Sequence, residues 1–191
     1  PAVGISLCGA NNGQLIAGDA MGNIVEIDPS SKKTELLVEG DGRSYVFNLA
    51  CGWDGTLYGA TSGKGLVAID PTGSVVWYNE FNGLKAKQLN AVCPDREGNL
   101  LIGSRDNGLF VFKGNNLFSY GKEWGLPGDQ VWAILNTDNA LWAGTESGVA
   151  FKPINSEGHF QEVKPVFPLQ NSFQVRCMAK AAGESIYVGT L

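Results

Sequence analysis

The chain has 191 residues, of which 43% are hydrophobic and 17% charged, and its formal net charge is −5. That apolar content is enough for a packed core and excludes wholesale disorder. No apolar run approaches the roughly 18 residues of a membrane-spanning helix, and no basic cluster offers a surface to nucleic acid or an anionic membrane.

The elements follow a repeat. An apolar residue, two further positions, a small residue and then Thr, Ser or Asp recur five times. The copies are Leu15-Ile16-Ala17-Gly18-Asp19, Leu57-Tyr58-Gly59-Ala60-Thr61, Leu100-Leu101-Ile102-Gly103-Ser104, Leu141-Trp142-Ala143-Gly144-Thr145 and Ile186-Tyr187-Val188-Gly189-Thr190. Their leading residues are 42, 43, 41 and 45 positions apart. Ahead of the last four copies lie apolar stretches at 46–51, 89–93, 131–135 and 175–179, each followed by a turn. The first copy is preceded by a strand around Cys8. After the first four copies a Gly opens a third run, at 22–27, 65–69, 108–112 and 148–151. Fourth runs lie at 34–38, 74–78, 116–120 and 160–163.

Four short strands in about 42 residues, joined by Gly, Asp and Asn turns, describe a β-propeller blade. The expected fold is therefore all-β, built of four-stranded antiparallel blades at about 1–41, 42–84, 85–125 and 126–168, with a partial fifth at 169–191. The first strand of each blade lies at the axis. Turns between second and third strands then share one face with the connections between blades, and the Asp-bearing turns occupy the other.

One segment carries a specific resemblance. Phe118-Ser119-Tyr120-Gly121-Lys122-Glu123-Trp124-Gly125-Leu126-Pro127-Gly128-Asp129-Gln130-Val131-Trp132-Ala133-Ile134, with Leu141-Trp142-Ala143-Gly144-Thr145 and Gly148-Val149, resembles the two-component-regulator propeller repeat. The third copy is similar through Leu89-Asn90-Ala91-Val92, Asp95, Gly98-Asn99-Leu100 and Gly108-Leu109-Phe110. The first two copies are looser, and residues 65–77 are also similar to quinoprotein-type repeats. The resemblance implies an extracytoplasmic or periplasmic sensor region of a bacterial hybrid two-component protein, normally seven-bladed. Four blades and half of a fifth leave an open arc with apolar end faces, so the chain, which starts at Pro1, is expected to be part of a longer protein or to self-associate through its open blade edges.

The sequence points to binding rather than catalysis. His159, the one histidine, falls on an outer strand or its turn, away from any Ser-His-Asp arrangement. No metal-ligand spacing occurs, so neither a metal nor another cofactor is expected. Asp54, Asp95 and Asp138 recur in turns that Asp favours through side-chain hydrogen bonds to the backbone. Cys8, Cys51, Cys93 and Cys177 are expected as small buried residues. Trp124 on a connection and Trp132 at the start of an inner strand offer flat surfaces to a sugar ring. Arg43, Tyr45, Lys87, Asn90, Arg105, Asp106, Gln130 and Arg176 belong to the same face, with Asn90, Trp132 and Arg176 at equivalent places around the mouth. An oligosaccharide or other small polar ligand suits such a set. A propeller enzyme of lyase or lactonase type and a protein-interaction scaffold are the alternatives.

Overall fold

Short apolar runs closed by Gly and Asx turns fold back on themselves, because only antiparallel pairing joins strands through so few residues. In the computed structural model, residues 4–95, 97–114, 116–154, 156–164, 174–183 and 185–191 are described. The first sheet holds β1 (Gly4–Gly9), β2 (Leu15–Asp19), β3 (Ile24–Ile27) and β4 (Thr34–Val38). The second holds β5 (Val46–Cys51), β6 (Leu57–Thr61), β7 (Leu66–Ile69) and β8 (Val75–Tyr78). The third holds β9 (Leu89–Pro94), β10 (Leu100–Ser104), β11 (Leu109–Lys113) and β12 (Asn116–Tyr120). The fourth holds β13 (Val131–Asn136), β14 (Ala140–Thr145), β15 (Gly148–Pro153) and β16 (Gln161–Val163). A two-stranded sheet of β17 (Val175–Lys180) and β18 (Ile186–Thr190) follows. Strands are antiparallel neighbours in chain order within every sheet, the meander of propeller blades. No helix among the described residues is long and apolar enough to cross a membrane.

The inner strands β1, β5, β9, β13 and β17 pack side by side in that order, so each sheet rests on the next. The small residue in each second strand makes this possible. A Cβ added at Gly18 would lie 2.5 Å from Val46 Cγ1, and one at Gly103 would lie 2.8 Å from Val131 Cγ1. Ala60 holds the same place in the second sheet and shares a buried cluster with Leu89. The Thr or Ser that ends the repeat closes the next turn. Thr61, Ser104 and Thr145 donate their hydroxyls to the carbonyls of Gly65, Gly108 and Gly148 at 2.7, 2.9 and 3.1 Å. In the first copy Asp19 instead accepts from the Met21 and Asn23 amides.

Two single turns of 3-10 helix, at Glu80–Asn82 and Lys122–Trp124, stand in connections where no helix was expected. Asn79 and Asn82 cap the first reciprocally, and both end in a left-handed glycine, Gly83 or Gly125. Leu126, just beyond the second, is buried with Phe160 and Leu109. That packing accounts for the Gly-Leu-Pro element. Phe160 itself, expected at the start of a strand, precedes β16, because its amide donates to the Trp124 carbonyl at 2.7 Å instead of joining the ladder.

Asp54 accepts the Thr56 amide and Asp95 the Glu97 and Asn99 amides, as the turn reading requires. Asp138 differs in receiving Lys180 Nζ of the following sheet at 2.8 Å. The cysteines are less buried than expected: Cys8, Cys51 and Cys93 are half-buried, Cys177 is exposed, and all four are free thiols. Cys177 follows a register shift at Arg176 and faces away from the fourth sheet, while Val175 faces into it. Burial, with the neighbouring Cys51, pushes the Cys8 thiol up to about 11, leaving little thiolate at neutral pH. Maleimide labelling at pH 7.5 followed by peptide mass spectrometry is expected to modify Cys177 first and Cys8 slowest. Equal rates at the two would contradict this placement.

Candidate functional site

Each inner strand carries a register irregularity just inside its start. Pairing shifts between Gly4 and Ser6, Val46 and Asn48, Val131 and Ala133, and Val175 and Cys177, and in the third sheet Leu89 and Ala91 pair with adjacent residues of β10. The extra residues are Ile5, Phe47, Asn90, Trp132 and Arg176. A bulge leaves one residue out of the ladder and turns its side chain to a new direction. Repeated on neighbouring inner strands, it sets one such side chain at the same place in each sheet. Two of them meet directly: the Arg176 guanidinium lies 3.9 Å from the centre of the Trp132 ring. Asn90 donates from Nδ2 to the Val131 carbonyl at 3.2 Å, bridging the third and fourth sheets.

Asn90, Trp132 and Arg176 were legible as a set in the sequence, whereas Ile5 and Phe47 were missed. Their signal was position alone, since each follows the first residue of its inner strand as Trp132 follows Val131. Phe47 meets Tyr45 edge-on at 6.0 Å, which ties the exposed Tyr45 to the ring.

The loops above the opening are held by backbone pairs between the turn after each second strand and the segment before the inner strand. Ser62 donates to the Tyr45 carbonyl at 2.9 Å, Arg105 to Gln88 at 3.0 Å and Glu146 to Gln130 at 3.2 Å. Both loop sets therefore share one face. The Glu146 carboxylate accepts the Asp129 and Gln130 amides. Arg105 and Asp106 are exposed on the turn between β10 and β11.

Arg43 stands on a connection shaped by Asp41, whose carboxylate accepts the Arg43 amide and both the amide and hydroxyl of Ser44. These bonds, the Arg43 amide foremost, with Lys64 nearby, hold the Asp41 carboxyl down at about 2. A carboxyl depressed in the folded state stabilises the fold above its unfolded value of 3.8, and that contribution disappears as pH falls through about 2. A carboxyl-carbon NMR titration is expected to place the Asp41 midpoint near 2, whereas an ordinary midpoint near 3.8 would contradict the bonded turn.

Two expected site residues make their side-chain contacts nearer the outer strands. Lys87 pairs with Glu80 at 2.7 Å, beside a groove of about 520 Å³ that Trp77, Phe81 and Lys64 also line, near the outer strand of the second sheet. Trp124 packs edge-on against Tyr120 at 5.6 Å and stacks on His159 at 5.2 Å, between the outer strands of the third and fourth sheets. His159 thus serves the same rim cluster. The structure links Asn90, Trp132 and Arg176 across the third, fourth and fifth sheets, and places the side-chain contacts of Lys87 and Trp124 nearer the outer strands.

Known folds agree with this architecture. The chain is similar to the extracellular domain of the hybrid two-component system BT3049 from B. thetaiotaomicron, with a TM-score of 0.81 and 21% identity over 99% of this chain and 27% of that one. It is also similar to virginiamycin B lyase from Staphylococcus aureus, with a TM-score of 0.75 and 16% identity over 97% of this chain and 62% of the lyase. It thus spans about a quarter of the first protein's length and less than two thirds of the second's. No family model and no curated protein matches the chain by sequence. At these identities the likeness establishes the propeller fold.

Proposed function

We propose that this chain is a non-catalytic ligand-binding propeller of an extracytoplasmic bacterial sensor, taking a carbohydrate or similar hydroxyl-rich ligand at its axial opening. The observation that carries the reading is the ring of bulged residues in which Arg176 stacks on Trp132 beside Asn90. A flat indole suits the apolar face of a sugar ring, while a guanidinium and an amide supply directional polar contacts around it. The resemblance of the Gly-Leu-Pro-bearing repeat to two-component-regulator propellers supports the sensory role and the periplasmic setting. The fold shared with a sensor's extracellular domain supports both as well.

The test is thermal shift across a panel of neutral and acidic oligosaccharides. A rise in Tm with one glycan class, lost in Trp132→Ala, is expected. No response across the panel would overturn the reading.

A further inference from the structure

Three features of the opening remain unused by fold stability. Asn90 is 6% exposed, yet its Oδ1 has no hydrogen-bond partner among the described residues. Trp132 Nε1 is likewise covered and unpartnered. A buried polar atom left unmet costs stability, so such atoms in a folded protein call for an explanation. Arg176 is exposed, and its side chain bonds to Gln174 Oε1 at 3.0 Å. Among the described residues no carboxylate pairs with it.

These features belong to three adjacent inner strands that touch one another. Asn90 Nδ2 holds the carbonyl of Val131, the residue before Trp132, and the guanidinium lies over the Trp132 ring. Among the described residues the opening therefore offers a planar cation with no carboxylate partner, an unmet donor and an unmet acceptor around a single indole. A neutral sugar could use the donor and acceptor but would leave the cation unanswered. A carboxylate matches the guanidinium fork with two parallel hydrogen bonds, and a hydroxyl can both accept from Nε1 and donate to Oδ1.

We infer that the ligand at this opening is an acidic sugar, held by its carboxylate on Arg176 and by a ring hydroxyl between Trp132 Nε1 and Asn90 Oδ1. This rests on the ligand-binding reading above and narrows it to the uronic-acid class. Both atoms are covered in the present conformation, so a side chain must move to admit the hydroxyl. Arg176 is the one placed to move off the indole, being exposed and tethered by one amide oxygen and the ring face. Capture of the carboxylate draws the guanidinium off the indole and opens the ring to the sugar.

The test compares trigalacturonate, galactotriose and propionate by calorimetry and tryptophan fluorescence on the full chain. Trigalacturonate is expected to bind at least tenfold tighter than galactotriose, with propionate too weak to measure. Arg176→Gln, at an exposed position, is expected to weaken trigalacturonate roughly 30-fold, by loss of a charge-assisted pair, and to leave Tm unchanged. Trp132→Phe keeps the ring and removes Nε1–H, for an expected loss of roughly three- to tenfold. Equal binding of trigalacturonate and galactotriose, unaffected by Arg176→Gln, would overturn the acidic-sugar inference and leave the ligand-binding reading standing. Equally tight binding of propionate would reduce the site to an unspecific anion contact and overturn the role of the hydroxyl. Binding of neither trisaccharide would overturn the acidic-sugar inference, and the wider ligand-binding reading falls with it only if the whole glycan panel is also silent.

Discussion

Gly103→Val is expected to destabilise the protein by about 3 kcal/mol, at the upper end of overpacking costs. For a chain of this size that corresponds to a fall in Tm of roughly 10 °C. The new Cβ would stand 2.8 Å from Val131 Cγ1 and 2.9 Å from the Val131 carbonyl oxygen. A side chain can rotate away, but the carbonyl belongs to the inner-strand backbone and accepts the Asn90 Nδ2 bond. The added volume must therefore push the fourth sheet off the third. The strain falls on the Asn90, Trp132 and Arg176 arrangement before it reaches the outer strands. Circular dichroism melts measure the stability, and the part of the tryptophan fluorescence that is lost in Trp132→Phe reports the site. Unchanged melting would show that the small residue of the repeat is not the seat of the next blade. Ala60 provides the internal comparison, since a methyl group is already accommodated there against Leu89.

Phe160→Ala is expected to cost about 4 kcal/mol, in the range for removing a buried aromatic. Phe160 is 4% exposed and packs with Leu109, Leu126 and Ala150. Its ring meets Tyr120 at 5.8 Å, and its amide is bonded to Trp124. It is thus the plug that fastens the Lys122–Trp124 turn, and with it the end of the third sheet, to the fourth. Loss of the ring is expected to accelerate amide exchange in β16 and around Trp124, with β9 and β10 much less affected. Uniform loss of protection across all sheets would mean that the rim is not a separate locking point. Because this cluster lies at the periphery, ligand binding at 25 °C is expected to survive the substitution if enough folded protein remains.

The sequence by itself determined the architecture, because the information needed for blades is local. A strand of four to six residues, a turn of Gly, Asp or Asn and a small residue at a fixed place suffice to specify an antiparallel meander, and each is written within one repeat. Residues 34–38 and 116–120 could be delimited as strands from the chain alone for that reason. Position within the repeat also marked Asn90, Trp132 and Arg176 as equivalents. What the sequence could not express was the bulge that takes those residues out of the ladder. That bulge is a register shift between two strands, visible only once the pairing is known.

Trp124 and Lys87 show the same limit from the other side. Both sit on the expected face by topology, yet Trp124, inside its 3-10 turn, packs on His159 and Tyr120, and Lys87 pairs with Glu80 of the other turn. Cys177 was read as buried from its residue type, but it faces away from the fourth sheet, on a side where no described sheet packs, whereas the equivalent Ala91 and Ala133 are covered by the next sheet. Local chemistry fixes which residues form strands and turns. Which of their side chains converge is decided by how neighbouring sheets pack, since close approaches such as Gly18 to Val46, Gly103 to Val131 and Gly144 to Val175 set the spacing between sheets.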